Sequence, residues 1–242
     1  MSRSLQRIEL TPGYVLHHRP WRDTSRILEV LTREHGRLTL FARGVRGANA
    51  RLSPVLQPFQ LLLLSWSGRG EAPTLTGAER AERSAALPSG CLLAAFYLNE
   101  LLLRLTTRHD PQPQLFDGYH GTLARLRAGA PLEPCLRVFE KRLLELLGYG
   151  LDLATEAHTG KRIEPDGYYD FRPGQGLVPA RAGGAGALCG RSLLQLAAES
   201  VSGARGLEDA RRVLQAALAE CLEGRPLATR AVAKSMKRRA AQ

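Results

Sequence analysis

Over the first eighty residues, apolar and polar positions alternate in short runs cut by turn residues, the period of two that marks β-strands. The first run covers residues 14–19 and follows Pro12-Gly13; the second covers 25–32. Glu34-His35-Gly36 then turns the chain into a third run, 37–43. There Leu38, Leu40 and Ala42 face one side, and Arg37, Thr39, Phe41 and Arg43 the other. Residues 59–66 are continuously apolar, as expected of a strand covered on both faces, and residues 74–79 make a fifth run. Five short strands at this spacing predict an OB-type barrel over residues 1–82.

At Leu87-Pro88-Ser89-Gly90 the period lengthens to that of helices. Residues 91–104 are apolar on nearly every side, which predicts a helix buried among others. Pro111 and Pro113 break it, a second helix covers about 114–127, and Pro131 to Pro134 open a third. The third helix carries Leu136, Phe139, Leu143, Leu146 and Leu147 on one face, leaves Arg137, Lys141 and Arg142 off it, and ends at Gly148 as its C-cap. Periodicity lapses over about 154–187, apart from a strand-like 168–171, a turn at 173–176 and a Gly/Ala-rich loop at 182–187. Two further helices are expected at 192–200 and 208–223, then a final basic helix or frayed tail at 227–239. The class is therefore α+β: an N-terminal five-stranded barrel, then an all-helical domain over 88–242 with a small irregular insert.

The chain has 242 residues and a net charge of +11, which asks for an acidic partner, nucleic acid before an anionic membrane. The charge sits at the ends. Residues 1–80 hold 12 Arg against 6 acids, residues 225–242 hold 6 Lys+Arg and no acid, and the middle is nearly neutral. Arginine dominates, and its planar fork suits phosphate and stacks on bases. Cys91, Cys135, Cys189 and Cys221 form no CxxC pair, so reduced, partly buried thiols are expected rather than disulfides or a zinc knuckle. No signal-like region opens the chain and no apolar run approaches a bilayer's width, so the expectation is a soluble cytoplasmic protein.

None of the motifs for phosphate-loop, serine-hydrolase, zinc-protease or deaminase chemistry is present. His17 and His18 would point to opposite faces of a strand, and Asp166 and Asp170 sit beside turn residues, where carboxylates cap backbone amides. A non-enzymatic protein without cofactor follows. The arginines are the stronger constellation. Arg19, Arg22 and Arg26 flank Trp21, followed by Arg37, Arg43, Arg46 and Arg51. Cations interleaved with an aromatic offer phosphate neutralisation plus a stacking surface, although Trp21 could equally plug the barrel end. Lys234 and Lys237 belong to a basic tail that touches DNA or merely aids solubility. Leu136-Arg137-Val138-Phe139 reads either as a core helix with a solvated Arg or as a groove rim suited to an acidic peptide with an apolar end.

Taken in order, a set of segments resembles the bacterial recombination mediator RecO family. They are Val15-Leu-His-His-Arg-Pro-Trp21, Glu34-His-Gly-Arg37, Ala42-Arg-Gly44, Leu56-Gln-Pro-Phe59, Tyr97-Leu-Asn-Glu-Leu-Leu102, Leu147-Gly-Tyr-Gly150 and Gly224-Arg-Pro-Leu227. The resemblance implies an OB domain and a helical domain. It also implies binding of single- and double-stranded DNA, annealing of complementary strands without ATP, and action with RecR to load RecA onto strands coated by the single-stranded DNA-binding protein, SSB. It places the acidic, Phe-terminated SSB tail on the helical domain, with Arg137 at the groove and Leu136, Phe96 and Tyr97 nearby. A chain monomeric by itself, associated with the nucleoid, is expected. Some members hold zinc between two cysteine pairs in the insert; here the first pair's positions are Glu156 and Thr159 and the later pair is absent, so no zinc is expected. The alternative reading is an RNA-binding or ribosome-associated OB protein.

Overall fold

The structure, a computed structural model, describes residues 6–46, 51–68, 70–82, 84–184 and 186–240. Strands β1 (Gln6–Trp21), β2 (Ser25–Thr32), β3 (Gly36–Ala42), β4 (Leu62–Gly68) and β5 (Thr74–Arg80) form a closed barrel in the order β1-β2-β3-β5-β4. Closure rests on a short parallel contact between β3 and β5, where Phe41 lies opposite Thr74 and its N–H donates to the Pro73 carbonyl at 2.9 Å. β1 is long because it serves two neighbours, pairing with β4 up to Gly13 and with β2 from Gly13 to Trp21. Register breaks between Ile8 and Thr11 and between Val15 and His17 bend it around the barrel.

In β3 the alternation is as read from the sequence: Leu38, Leu40 and Ala42 are buried, with Arg37, Thr39 and Phe41 partly covered on the other face. β4 differs from expectation. Leu62, Leu64 and Trp66 are buried but Leu63 and Ser65 only partly, because one face alone meets the barrel interior.

By contacts between residues the chain forms two compact units, Met1–Arg127 and Ala128–Gln242. A 3₁₀ turn (Ser89–Cys91) leads to α1 (Leu92–Leu105) and then α2 (Pro113–Arg127), and both helices belong to the barrel's unit. Polar side chains tie them there. Asn99, 2% exposed, donates to the Leu16 carbonyl at 2.8 Å and accepts from the Tyr119 hydroxyl at 2.6 Å. Tyr14 packs edge-on to Tyr119 and bonds His120 Nδ1 at 2.7 Å, and burial pushes its phenol up to about 12. Arg127 donates to the carbonyls of Phe59 and Ala85, fastening the segment that leaves the barrel.

Glu29 organises a second tie. It accepts from Arg37 Nη1 at 2.9 Å, Arg108 Nη2 at 2.6 Å and Thr39 Oγ1 at 2.8 Å. Burial pulls this carboxyl's pKa up, but the hydrogen bonds from Arg108 and Thr39 and the charges of both arginines outweigh it and hold it below its ordinary value. A lowered folded pKa gives stability that is whole above the ordinary carboxylate range and lost as pH falls through the lowered value. Glu29→Gln is expected to cost about 2 kcal/mol at neutral pH. Its thermal midpoint should also fall less steeply than the parent's between about pH 5 and 3, a difference read by calorimetry across that window.

The second unit contains α3 (Leu132–Leu146), β6 (Tyr168–Arg172), β7 (Gly176–Pro179), β8 (Leu188–Cys189), α4 (Gly190–Ala197), α5 (Gly203–Cys221) and α6 (Ala228–Ala240). Gly148, at φ 83°, closes α3 as expected: its N–H donates to Glu145 O and that of Tyr149 to Leu144 O. The insert is not irregular throughout, since β6, β7 and β8 form a sheet in the order β7-β6-β8. With four residues in β7 and two in β8, neither strand is long enough to display a period. On α3, Arg137 and Lys141 are buried at 6% and 7% exposure rather than lying off the packed face. The helix meets both α4 and α5, which covers more of its circumference than one apolar stripe indicates.

Candidate nucleic-acid interface

Two segments distant in sequence meet at one end of the barrel: the β1–β2 turn, 21–25, and the stretch leaving β3, 43–46. The Arg46 N–H donates to Thr24 O at 2.9 Å, and its guanidinium donates to Arg22 O at 3.1 Å. Val45, 1% exposed, plugs into the barrel core and fixes the stretch; Leu56, fully buried, does the same beyond Arg51. Arg43, just before the first anchor, and Arg51, between the two, are exposed, while residues 47–50 of the expected Arg/Gly loop lie outside the described residues.

Pairing register defines the face beside this junction. Arg19 lies opposite Ile27, and Ile27 opposite Phe41, so the three share the outer surface of β1-β2-β3. Arg43 holds its guanidinium 5.6 Å from the centroid of the Phe41 ring. Trp21 is 41% exposed, so it does not plug the barrel end. Arg22 is exposed at the turn, with φ at 51°. Trp21 and Phe41 thus stand among Arg19, Arg22, Arg43 and Arg46. Phe41 was not among the residues expected at this face, although the alternation that puts it beside Arg43 was visible in the sequence.

Two expected cations are placed differently. Arg37 is committed to the fold, bonded to Glu29 and to Thr106 through Oγ1 at 3.1 Å and the carbonyl at 2.7 Å. Arg26 lies opposite Ala42, a core residue, and so faces the barrel's inner side, where its Nη1 is buried without a hydrogen-bond partner among the described residues. Lys234 is exposed on α6 in the second unit, and the side chain of Lys237 lies outside the described residues.

The residues expected at the acidic-tail groove divide between the units. Phe96 is 44% exposed on α1 and packs edge-on to Phe59 at 4.8 Å, while Tyr97 beside it is buried. Leu136 and Arg137 are buried on α3. Arg137 Nη1 lies 3.0 Å from Glu140 Oε2 but out of line for a hydrogen bond, and its Nε also has no acceptor among the described residues.

The insert's chemistry does not fit zinc. Thr159 Oγ1 donates to Glu156 Oε2 at 2.5 Å, and the Cys189 thiol turns to the Pro165 carbonyl at 3.6 Å. Among the described residues no group of three or more His, Cys, Asp or Glu is placed to hold a metal. Nor is any described helix long and apolar enough to cross a membrane.

The models for the Recombination protein O N-terminal and C-terminal regions match residues 6–83 and 91–231. The DNA repair protein RecO of Methylococcus capsulatus is 43% identical over 229 residues, covering 95% of this chain and 94% of that one. That of Azoarcus sp. (strain BH72) is 39% identical over 236 residues, with 96% and 97% covered. That of Nitrosococcus oceani is 42% identical over 234 residues, with 96% and 95% covered. Two successive family models and relatives matched along nearly their whole length lead to one conclusion: the chain belongs to the recombination protein O (RecO) family.

Proposed function

We propose that this chain is a non-enzymatic DNA repair and recombination mediator: it binds single- and double-stranded DNA and anneals complementary strands without ATP. With RecR, it would help RecA load onto SSB-coated single strands. The observation that carries the reading is the bonded junction of the β1–β2 turn with the stretch after β3, which gathers Arg19, Arg22, Arg43 and Arg46 around Trp21 and Phe41. Phosphates are neutralised by the guanidiniums and bases stack on the rings, at about 1–3 kcal/mol per stacked base. Annealing needs no more chemistry than this. Two polyanions held on one basic scaffold repel each other less and can search for register. Arg51 is exposed and would extend the same contact, and Lys234, exposed on α6 of the second unit, would offer DNA a contact of its own.

The test is annealing of SSB-coated complementary strands in the absence of ATP, comparing the parent with Arg43→Ala/Arg46→Ala/Arg51→Ala. The variant should bind single-stranded DNA roughly tenfold or more weakly at moderate salt, and the slope of log affinity against log salt should shrink by about 2–3. Equal annealing by the two proteins would remove the barrel end from the mechanism. A strong preference for RNA over matched single-stranded DNA would favour the ribosome-associated reading instead.

SSB recruitment through its acidic, Phe-terminated tail is part of the same proposal. Arg137 donors without an acceptor among the described residues suit an incoming carboxylate, and Phe96 in the other unit, with its exposed ring, is a separate candidate contact for an aromatic.

A further inference from the structure

The second unit holds a cleft that nucleic-acid binding does not use. It lies among the loop after α3, the β6–β7 turn and the C-terminal end of α5, with a volume of about 310 Å³. That is the low end for small-molecule sites and room for one or two side chains. Glycines shape it. Gly174 and Gly176 turn the hairpin at φ 71° and 101°, and a Cβ on Gly174 would come within 3.2 Å of Glu220 Oε1. The turn's backbone therefore rests against that carboxylate and fixes where it points.

Phe171, Leu177 and Ala217 give the cleft apolar lining, and Tyr149, 50% exposed, adds a second ring. The charge of the lining is opposite to that of the chain. Asp152 and Glu220 contribute carboxylates, and among the described residues no Lys, Arg or His lines the cleft, although the chain holds 34 Lys+Arg against 23 acids. Asp152 is occupied, accepting from the N–H groups of Ala154 and Thr155 and from the Thr155 hydroxyl. Glu220 makes no ion pair among the described residues. Burial and the Glu220 charge raise the pKa of the neighbouring Cys221 thiol, keeping it neutral.

We propose that this cleft receives an arginine side chain presented by a partner polypeptide, its guanidinium paired with Glu220 and its plane against Tyr149 or Phe171. Phosphate-bearing ligands are opposed by two carboxylates. A wholly apolar segment would bury Glu220 without a counter-charge. Free arginine would bring an α-carboxylate into a lining that has no cation to meet it, whereas within a peptide that charge is gone.

The probe is N-acetylated, C-amidated Gly-Arg-Gly, titrated into the full chain while the amide resonances of Gly148, Gly150, Gly174 and Gly176 are followed by NMR. Saturable shifts at these glycines are expected, at least about tenfold weaker for the citrulline peptide, which keeps the shape without the charge. A similar loss is expected for Glu220→Gln, an exposed substitution whose thermal midpoint should match the parent's. Absent shifts, or shifts unchanged by citrulline or by Glu220→Gln, would overturn the proposal. An equal response to the lysine peptide would overturn the assignment to a guanidinium.

Discussion

Replacing Gly36 with alanine is expected to lower the unfolding free energy by about 2–5 kcal/mol, the sum of a left-handed backbone penalty and an overpacking penalty. Gly36 sits at φ 66°, a conformation that costs an L-residue roughly 1–2 kcal/mol. A Cβ there would also meet the backbone carbonyl of Asp110 far inside van der Waals contact. Neither side can yield cheaply. The Thr32 hydroxyl donates to the Gly36 carbonyl at 2.9 Å, the His109 N–H donates to Arg37 O at 2.8 Å, and the Arg37 guanidinium grips Thr106. Moving residues 106–110 aside to admit a methyl group would break the contacts that bind α1's end to β3. Gly44→Ala supplies the comparison: φ is 63° but none of the described residues crowds it, so only the backbone penalty of roughly 1–2 kcal/mol should appear. Urea unfolding of the two variants separates the terms, and equal losses would refute the packing argument.

Legibility in the sequence followed the range of the interactions. β3 and the helices from α1 to α5 were readable because burial of a strand face or a helix stripe imposes a local period. What period cannot carry was misread. On a helix read as apolar on nearly every side, Asn99 gave no sign of its role; its side chain reaches Leu16 O across 83 residues and holds α1 to the barrel. Arg37 looked like one more outward cation, but its acceptors, Glu29 and Thr106, lie on other elements. At the candidate interface the residue types were legible and their grouping was not. Arg46 joins the β1–β2 turn through bonds to Arg22 and Thr24, partners that no spacing rule connects to it. Charge bookkeeping finds cations, while pairing register decides which of them share a face.

The same distinction governs the largest effect expected in the second unit. Arg137→Ala should cost on the order of 3 kcal/mol before any partner is added, because it strips the counter-charge beside Glu140, a carboxylate with no solvent exposure. Weaker binding of an acidic, Phe-terminated peptide by that variant would therefore not isolate a site. Arg137→Leu/Glu140→Leu removes both charges and refills the space with apolar volume, an exchange that leaves stability within about 1 kcal/mol or raises it. If Arg137 receives the peptide's carboxylate, the double variant should unfold like the parent in urea yet bind the peptide at least about tenfold more weakly. Phe96→Ala is a separate test, on the first unit: its ring is 44% exposed but packs on Phe59, so a stability loss of about 1–2 kcal/mol is expected, with weaker peptide binding if the ring is a contact. A double variant that keeps both parent-like stability and parent-like binding would show Arg137 to be a structural residue of α3, and the acidic tail would then have to be sought around Phe96 alone.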